Sequence, residues 1–439
     1  MTRRFFIRTF GCQMNEHDSD RMAQLLLEAG WEEASEPRRA DLILVNSCSV
    51  RAKPEHKALS EIGRFQAARR SRGVRLVLAG CVAQQEGAAL LAKAPYLDAV
   101  IGPDAIGRIA AIADSLKESK GPVLDLVEHT PADPGFVPLR CTGRVGLSAL
   151  VTIMKGCNNF CSFCVVPYAR GREVSRSISD ILAEVDALAR AGAREVTLLG
   201  QNVNSFRDGA AGFADLLRSL DRQGAVERIR FTTSHPKDLS DDLIAAIAEL
   251  PRVCEHLHLP LQAGSDAVLR RMNRGYGAAH FLSLVERARK HIASVSVTTD
   301  VIVGFPGENE SDFEQTLAVV EKAGFEQAYS FCYSPRPGTK ASEWPDDVPP
   351  TEKKRRLDRL QRLLSTLEQK ALERMVGRSY EVLFEGASRR DPSCGTGRTR
   401  CNWVVNFPRP NAGAPGALLS VRIIEARGHT LWGEVRCEG

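Results

Sequence analysis

The sequence predicts an α/β chain in three parts: a doubly wound parallel α/β domain, a partial βα barrel of six strands, and a small antiparallel β barrel. Three observations carry this. Apolar runs alternate with helical periodicity over roughly the first 115 residues. The same alternation resumes at Leu150 and lasts to Phe331. Beyond Ser379 the helical pattern stops, and short alternating segments follow one another with Gly and Pro between them.

In the first part, Phe5 to Phe10, Leu42 to Asn46 and Val74 to Gly80 read as strands. The third carries the near-continuous apolar run of a strand buried on both faces. Helical patterns lie between them: Asp18 to Ala29, closed by Gly30 as a left-handed cap, and Pro54 to Arg70. A helix from Gln84 to Ala94, a strand from Ala99 to Ile101 and a helix from Asp104 to Leu116 complete a domain over residues 1–120. Cys12, Cys48 and Cys81 each fall just past the C-terminal end of a different strand. Open α/β sheets hold ligands outside those carboxyl ends, so three sulfurs far apart in sequence can converge on one site. An iron–sulfur cluster with three protein ligands is the resulting expectation.

Residues 121–144 read as a linker. Lys117 to Arg144 is rich in Pro, Gly, Asp and Glu, and shows no sustained periodicity. The apolar strand Leu150 to Met154 then feeds a loop in which Cys157, Cys161 and Cys164 are spaced C-x3-C-x2-C. One short loop can turn all three sulfurs toward a common point, and three thiolates suit iron or zinc. Structural zinc normally takes four protein ligands. No fourth Cys or His lies in this loop, the nearest candidates being Cys141 and His235. A 4Fe-4S cube with one iron left open fits better, because the open iron can bind a small molecule.

The barrel pattern continues with helices at Ser179 to Ala191, Phe213 to Leu220, Leu239 to Leu250, Gly277 to His291 and Asp312 to Ala323. Strands alternate with them at Val196 to Leu199, Arg228 to Thr232, His256 to Leu261, Val295 to Val303 and Ala328 to Phe331. Catalytic groups of such barrels sit at C-terminal strand ends. Those ends are polar or Gly-rich here: Gln201, Asn202 and Asn204; Thr232 to His235, including Ser234; Gln262, Gly264 and Ser265; and Asp300 with Gly304. Gln201, Asn202, Ser234, Asp300 and Gly304 are the candidate cofactor contacts.

Five prolines between Ser334 and Thr351 mark a second boundary, and a charged helix from Thr351 to Val376 closes a core domain over residues 145–373. Residues 374–439 form the β barrel, with strands at Tyr380 to Glu385, Trp403 to Phe407, Leu418 to Ile424 and Thr430 to Val435. This segment holds ten Arg, no Lys and six acidic residues. Arg398, Arg400, Trp403 and Phe407 are the candidate RNA contacts, cations for phosphates and rings for bases.

Composition bounds the rest. Hydrophobic residues make up 43% of 439, enough for real cores, and twelve Cys are too sparse for a disulfide scaffold. No stretch approaches the ~20 apolar residues of a membrane span, and a cytoplasmic protein without membrane contact is expected. The net charge of +5 permits a nucleic-acid partner without requiring one. Cys254, Cys332, Cys394, Cys401 and Cys437, with Cys141, read as ordinary thiols.

The motifs together resemble the radical S-adenosylmethionine (SAM) methylthiotransferases over nearly the whole chain. Thr9-Phe-Gly-Cys-Gln-Met-Asn15, Cys164 to Arg176, Leu199-Gly-Gln-Asn-Val-Asn-Ser205, Thr233-Ser-His-Pro-Lys237 and Gly397 to Phe407 read like the MiaB-type tRNA subgroup, with a TRAM-type C-terminal barrel. The resemblance implies that Cys157, Cys161 and Cys164 hold a 4Fe-4S cluster whose open iron chelates SAM, cleaved to a 5′-deoxyadenosyl radical. It implies that Cys12, Cys48 and Cys81 hold a second 4Fe-4S cluster that presents sulfur. The implied reaction places a methylthio group at C2 of the N6-isopentenylated adenosine at position 37, in the tRNA anticodon stem-loop. That carbon bears an unactivated C–H, so a radical is required. An external one-electron reductant and a monomeric enzyme are expected. Relatives acting on threonylcarbamoyladenosine or on a ribosomal protein, and a non-catalytic iron–sulfur RNA sensor, are the alternatives.

Overall fold

A computed structural model describes residues 3–49, 52–116, 118–119, 121–126, 136, 145–409 and 413–436. Most of the predicted linker, with Cys141, and the terminal Cys437 lie outside the described residues.

The N-terminal sheet contains β1 (Arg4–Phe10), β2 (Glu32–Glu33), β3 (Leu42–Ser47), β4 (Arg75–Gly80), β5 (Ala99–Ile101) and β6 (Val123–Asp125), in the order β2-β1-β3-β4-β5-β6. Every pairing is parallel, with Phe5 opposite Leu42 and Leu42 opposite Arg75. Successive side chains of β3 serve opposite faces. Leu42 and Leu44 pack with Met22, Leu26 and Ile109, whereas Ile43 and Val45 pack with Ala58, Ile62 and Leu90. Helices therefore cover both sides, as the apolar runs predict.

The helix predicted over Pro54 to Arg70 is two, Ala52–Gly63 and Gln66–Arg72, and three further details differ from the sequence reading. β6 lies inside the segment read as linker; three residues, of which Leu124 is exposed, are too few for a period to show. The predicted helix Gln84 to Ala94 is two short helices, Cys81–Glu86 and Ala88–Lys93, broken at Gly87 with φ +52°. The first helix begins at Gln13 rather than Asp18, which makes Cys12 its N-cap residue.

The core contains β7 (Ser148–Thr152), β8 (Met154–Lys155), β9 (Val174–Ser175), β10 (Glu195–Leu199), β11 (Arg207–Asp208), β12 (Ala211–Gly212), β13 (Arg228–Phe231), β14 (His256–His258), β15 (Ser296–Val303) and β16 (Gln327–Cys332). Two parallel sheets, β13-β10-β7 and β14-β15-β16, are joined by a parallel bridge between Ile229 and Val253. The six main strands thus curve in chain order into an open barrel. β8 and β9 pair across the ends of the cysteine loop and close its base. The helix Pro350–Glu373 lays Leu360 against the core.

The C-terminal barrel is closed, in the order β17 (Ser379–Ala387), β18 (Cys394–Thr399), β19 (Val404–Pro408), β21 (Thr430–Val435), β20 (Leu418–Arg427). Its fifth strand, β18, escaped the sequence reading because Gly395 and Gly397 interrupt the apolar alternation. β19 and β21 run parallel, so the barrel is not wholly antiparallel.

The barrel corrects three of the four predicted RNA contacts. Trp403 is 2% and Phe407 0% exposed, packed with Val405 and Phe384 in the barrel interior. A small closed barrel must fill its centre with large side chains, so neither ring is available to a base. Arg400 joins the barrel to the core instead: its guanidinium donates to Glu255 at 2.7 to 3.0 Å and to the Val253 carbonyl at 2.7 Å. Arg228, fully buried, reaches the other way to Glu381 at 2.8 Å and the Arg398 carbonyl at 2.7 Å, and Arg230 donates to the Thr399 and Arg400 carbonyls. Arg398 pairs with Glu385 at 3.2 Å and keeps 39% of its side chain in solvent.

Candidate active site

The three N-terminal cysteines come together because β1, β3 and β4 are sheet neighbours and each cysteine follows one of them. Cys12 caps the helix after β1, Cys48 follows β3, and Cys81 opens the helix after β4. Gly11 permits the close approach: a Cβ there would lie 2.5 Å from the Cβ of Cys48. Behind the sulfurs a buried amide lattice fixes the strand ends. Asn15 donates to Asn46 Oδ1 at 3.1 Å, and Asn46 donates back to the Asn15 carbonyl at 2.9 Å.

The second trio is fixed from below. The Gly156 N–H donates to Gln201 Oε1 at 2.5 Å, and the Cys157 N–H donates to the Gly171 carbonyl at 3.1 Å. Arg274 donates to Cys161 Sγ at 3.3 Å while also holding the Pro260 carbonyl at 2.9 Å.

All six cysteines line one cavity of about 340 Å³ between the two domains. Gln201, Ser234 and Asp300 of the predicted cofactor contacts line it as well. Gln201 does so with its oxygen already engaged by Gly156. Asn202 does not line it: its side-chain amide donates to Asp238 Oδ2 at 2.8 Å, away from the cavity. Gly304 is a packing residue. Its N–H donates to Glu308 at 2.7 Å, and a Cβ would press within 2.4 Å of the Lys353 side chain.

Arg170 and Arg274 escaped the sequence reading. Arg170 lies six residues after Cys164, in the same loop, and that closeness was the available signal. Buried, it pairs with Asp18 at 2.7 Å and reaches the Cys81 thiol, so a cation of the core stands at the N-terminal sulfurs. Arg274 has no such signal, since its sequence neighbourhood carries no cysteine. His258 was also missed. It lines the cavity with Nδ1 3.0 Å from Thr298 Oγ1 and Nε2 3.5 Å from Asp300.

The electrostatics of the trios differ. The hydrogen bond with Cys48 lowers the pKa of Cys12 to about 6, helped by Arg170 and opposed by burial. Burial pushes Cys157 up to about 11, and burial with the neighbouring Cys161 pushes Cys164 up to about 12. Thiols so placed become thiolates only beside a strong positive charge, which iron supplies. Among the described residues, no three His, Cys, Asp or Glu side chains are arranged to ligate a single metal ion. Three thiols in each trio are a donor set that fits an iron–sulfur cluster with one iron left open.

The cavity also fits a polar ligand. Ser234 Oγ, His235 Nε2 and Gln262 Oε1 are buried in its wall with no hydrogen-bond partner among the described residues. Buried polar atoms are normally paired, so this wall has polar atoms free to bond a polar molecule that enters the cavity. Burial, then Arg274, lowers the His235 pKa to about 2, which keeps the ring neutral. Thr233 at φ +67° and Gln262 at φ +70° hold left-handed backbone at this wall. Such strain in non-glycine residues gathers where a site must be held in shape.

Comparison with known proteins agrees with this architecture. Residues 4–102 match Uncharacterized protein family UPF0004, residues 151–320 the Radical SAM superfamily, and residues 373–435 the TRAM domain. The radical S-adenosylmethionine methyltransferase TsrM from Kitasatospora setae shares the fold, with a TM-score of 0.57 and 15% identity over 78% of this chain and 74% of that one. The fold and site thus define a radical SAM enzyme, for which a 4Fe-4S cluster and SAM are the family's cofactors. Across 99% of its length the chain is 45% identical to the tRNA-2-methylthio-N(6)-dimethylallyladenosine synthase of Alkalilimnicola ehrlichii and 46% identical to that of Syntrophobacter fumaroxidans, covering 98% and 96% of those proteins. It belongs to this synthase family. No helix among the described residues is long and apolar enough to cross a membrane.

Proposed function

We propose that this chain replaces the hydrogen at C2 of N6-isopentenyladenosine in tRNA with a methylthio group. The observation that carries the reading is the meeting of two cysteine trios, from two domains, in one cavity. In this reading Cys157, Cys161 and Cys164 hold the cluster that binds SAM, and Cys12, Cys48 and Cys81 hold a second 4Fe-4S cluster. Bound there, the clusters and SAM supply the one-electron chemistry and the sulfur that an unactivated aromatic C–H requires, with electrons from an external reductant.

The chain's own residues hold and screen this chemistry. The Arg274 N–H draws negative charge from Cys161 and fixes its orientation. Arg170 offsets the charge of the N-terminal thiolates, with Asp18 keeping the guanidinium in place. Ser234, Gln262 and neutral His235 orient the polar ends of SAM, and Asp300 stands by to accept from a hydroxyl or ammonium group. Phe163, Val165, Val166 and Leu199 make much of the wall apolar and exclude water from the reacting atoms. The target base must leave its stack to enter, at a cost of a few kcal/mol that an anticodon-loop base bears more easily than a paired one. The enzyme is read as a cytoplasmic monomer.

Mass spectrometry of tRNA nucleosides tests this. Cells lacking the protein should accumulate N6-isopentenyladenosine and lack its 2-methylthio derivative, and the gene supplied in trans should restore it. An unchanged nucleoside profile would refute the reading.

A further inference from the structure

Beside the six-cysteine cavity, and sharing Cys161 with it, a wider hollow of about 700 Å³ opens on the core. Phe160 and Tyr168 of the cysteine loop form one wall. Arg270, Arg271, Lys340 and Trp344 form the other, and no Asp or Glu lines the space.

Both loop rings are presented to solvent. Phe160 is 36% and Tyr168 52% exposed, and they meet edge to face with centroids 6.2 Å apart. The Arg172 guanidinium lies 5.2 Å from the Phe160 ring centre. Phe160 holds its place at φ +45°, a conformation that a bulky residue rarely adopts. The Asn273 side chain secures it by donating to the Asn159 and Phe160 carbonyls, each at 3.1 Å. Folding gains nothing from exposing both rings or from the strained backbone at Phe160, whereas binding a flat partner would. Exposed rings beside cations and without carboxylates suit single-stranded nucleic acid, phosphates on the cations and bases on the rings.

We propose that this hollow grips the unpaired anticodon-loop nucleotides next to the adenosine that enters the cavity. The inference rests on the tRNA reading above and gives it a surface, in place of the buried Trp403 and Phe407. The cations act as phosphate contacts, and Tyr168, the more exposed ring, stacks on a neighbouring base with Phe160 bracing it edge to face.

The test is fluorescence anisotropy of a labelled synthetic anticodon stem-loop carrying N6-isopentenyladenosine, titrated with the full chain over a series of salt concentrations. The double variant Arg270→Ala/Lys340→Ala should weaken binding about tenfold and lower the slope of log K against log salt by about 1 to 2. Tyr168→Leu should weaken binding at least about fivefold with the slope unchanged, because it removes stacking and no charge. Arg222→Ala, on the helix Phe213–Gln223 outside the hollow, should bind like the wild type, and thermal melts should confirm that all variants fold. Wild-type affinity and slope in the double variant, with tRNA still thiolated by the wild type, would overturn the hollow and leave the reading standing. A wild-type chain that fails to bind the RNA at any salt concentration would overturn both.

Discussion

Cys157→Ala is expected to abolish reductive cleavage of SAM, with 5′-deoxyadenosine no higher than in protein-free controls. The reason lies in the ligand set. A 4Fe-4S cluster that must keep one iron open for SAM has three protein ligands and no spare, and the loop supplies only Cys157, Cys161 and Cys164. Burial holds Cys164 near a pKa of 12, so without iron this thiol stays neutral and offers no partial site. Removing one of three sulfurs should therefore empty the loop rather than weaken it. Anaerobic incubation with dithionite and SAM, followed by chromatography of the nucleosides, checks this. Cleavage at the wild-type rate would mean that the radical chemistry is seated elsewhere.

Cys48→Ala should separate the two halves of the reaction. It follows β3 in the N-terminal domain, whereas the bonds that fix the Cys157 loop come from Gln201, Gly171 and Arg274, so SAM cleavage should persist while the thiolated nucleoside disappears. Cys48 is buried, and the smaller side chain leaves β3 and its neighbours paired as before. The pair of readouts matters. Loss of both activities would point to misfolding, which thermal melting detects, whereas full thiolation would remove the N-terminal sulfurs from the mechanism.

Much of this site could be read from the sequence because parallel sheets obey a simple rule. A strand buried on both faces shows itself as an apolar run, as in Arg75 to Gly80, and its C-terminal end is then known to within a residue or two. That located Cys12, Cys48 and Cys81 together across long gaps. The rule says nothing about side-chain direction. Asn202 and Gly304 sit at strand ends as expected, yet one is turned to Asp238 and the other lies under Lys353.

The side chains of the barrel turn away from expectation for a different reason. Trp403, just before β19, and Val405 and Phe407 within it alternate with the period of a core face, and in so small a barrel that face has to point inward. The abundance of Arg in this segment carries no information about that period. Arg228, Arg230 and Arg400 are fastened to the domain interface, and no local pattern reveals what lies on the outer side of a sheet. Arg274 reaches Cys161 across more than a hundred residues, so its role exists only in the folded chain.

The central claim is that two sets of three thiolates each hold a cluster against one cavity. Counting iron and acid-labile sulfide on the anaerobically reconstituted full-length protein tests it most directly. The account predicts about eight of each per chain, falling to about four in the Cys12→Ala/Cys48→Ala/Cys81→Ala variant. A count near four in the wild-type protein, unchanged in that variant, would contradict it.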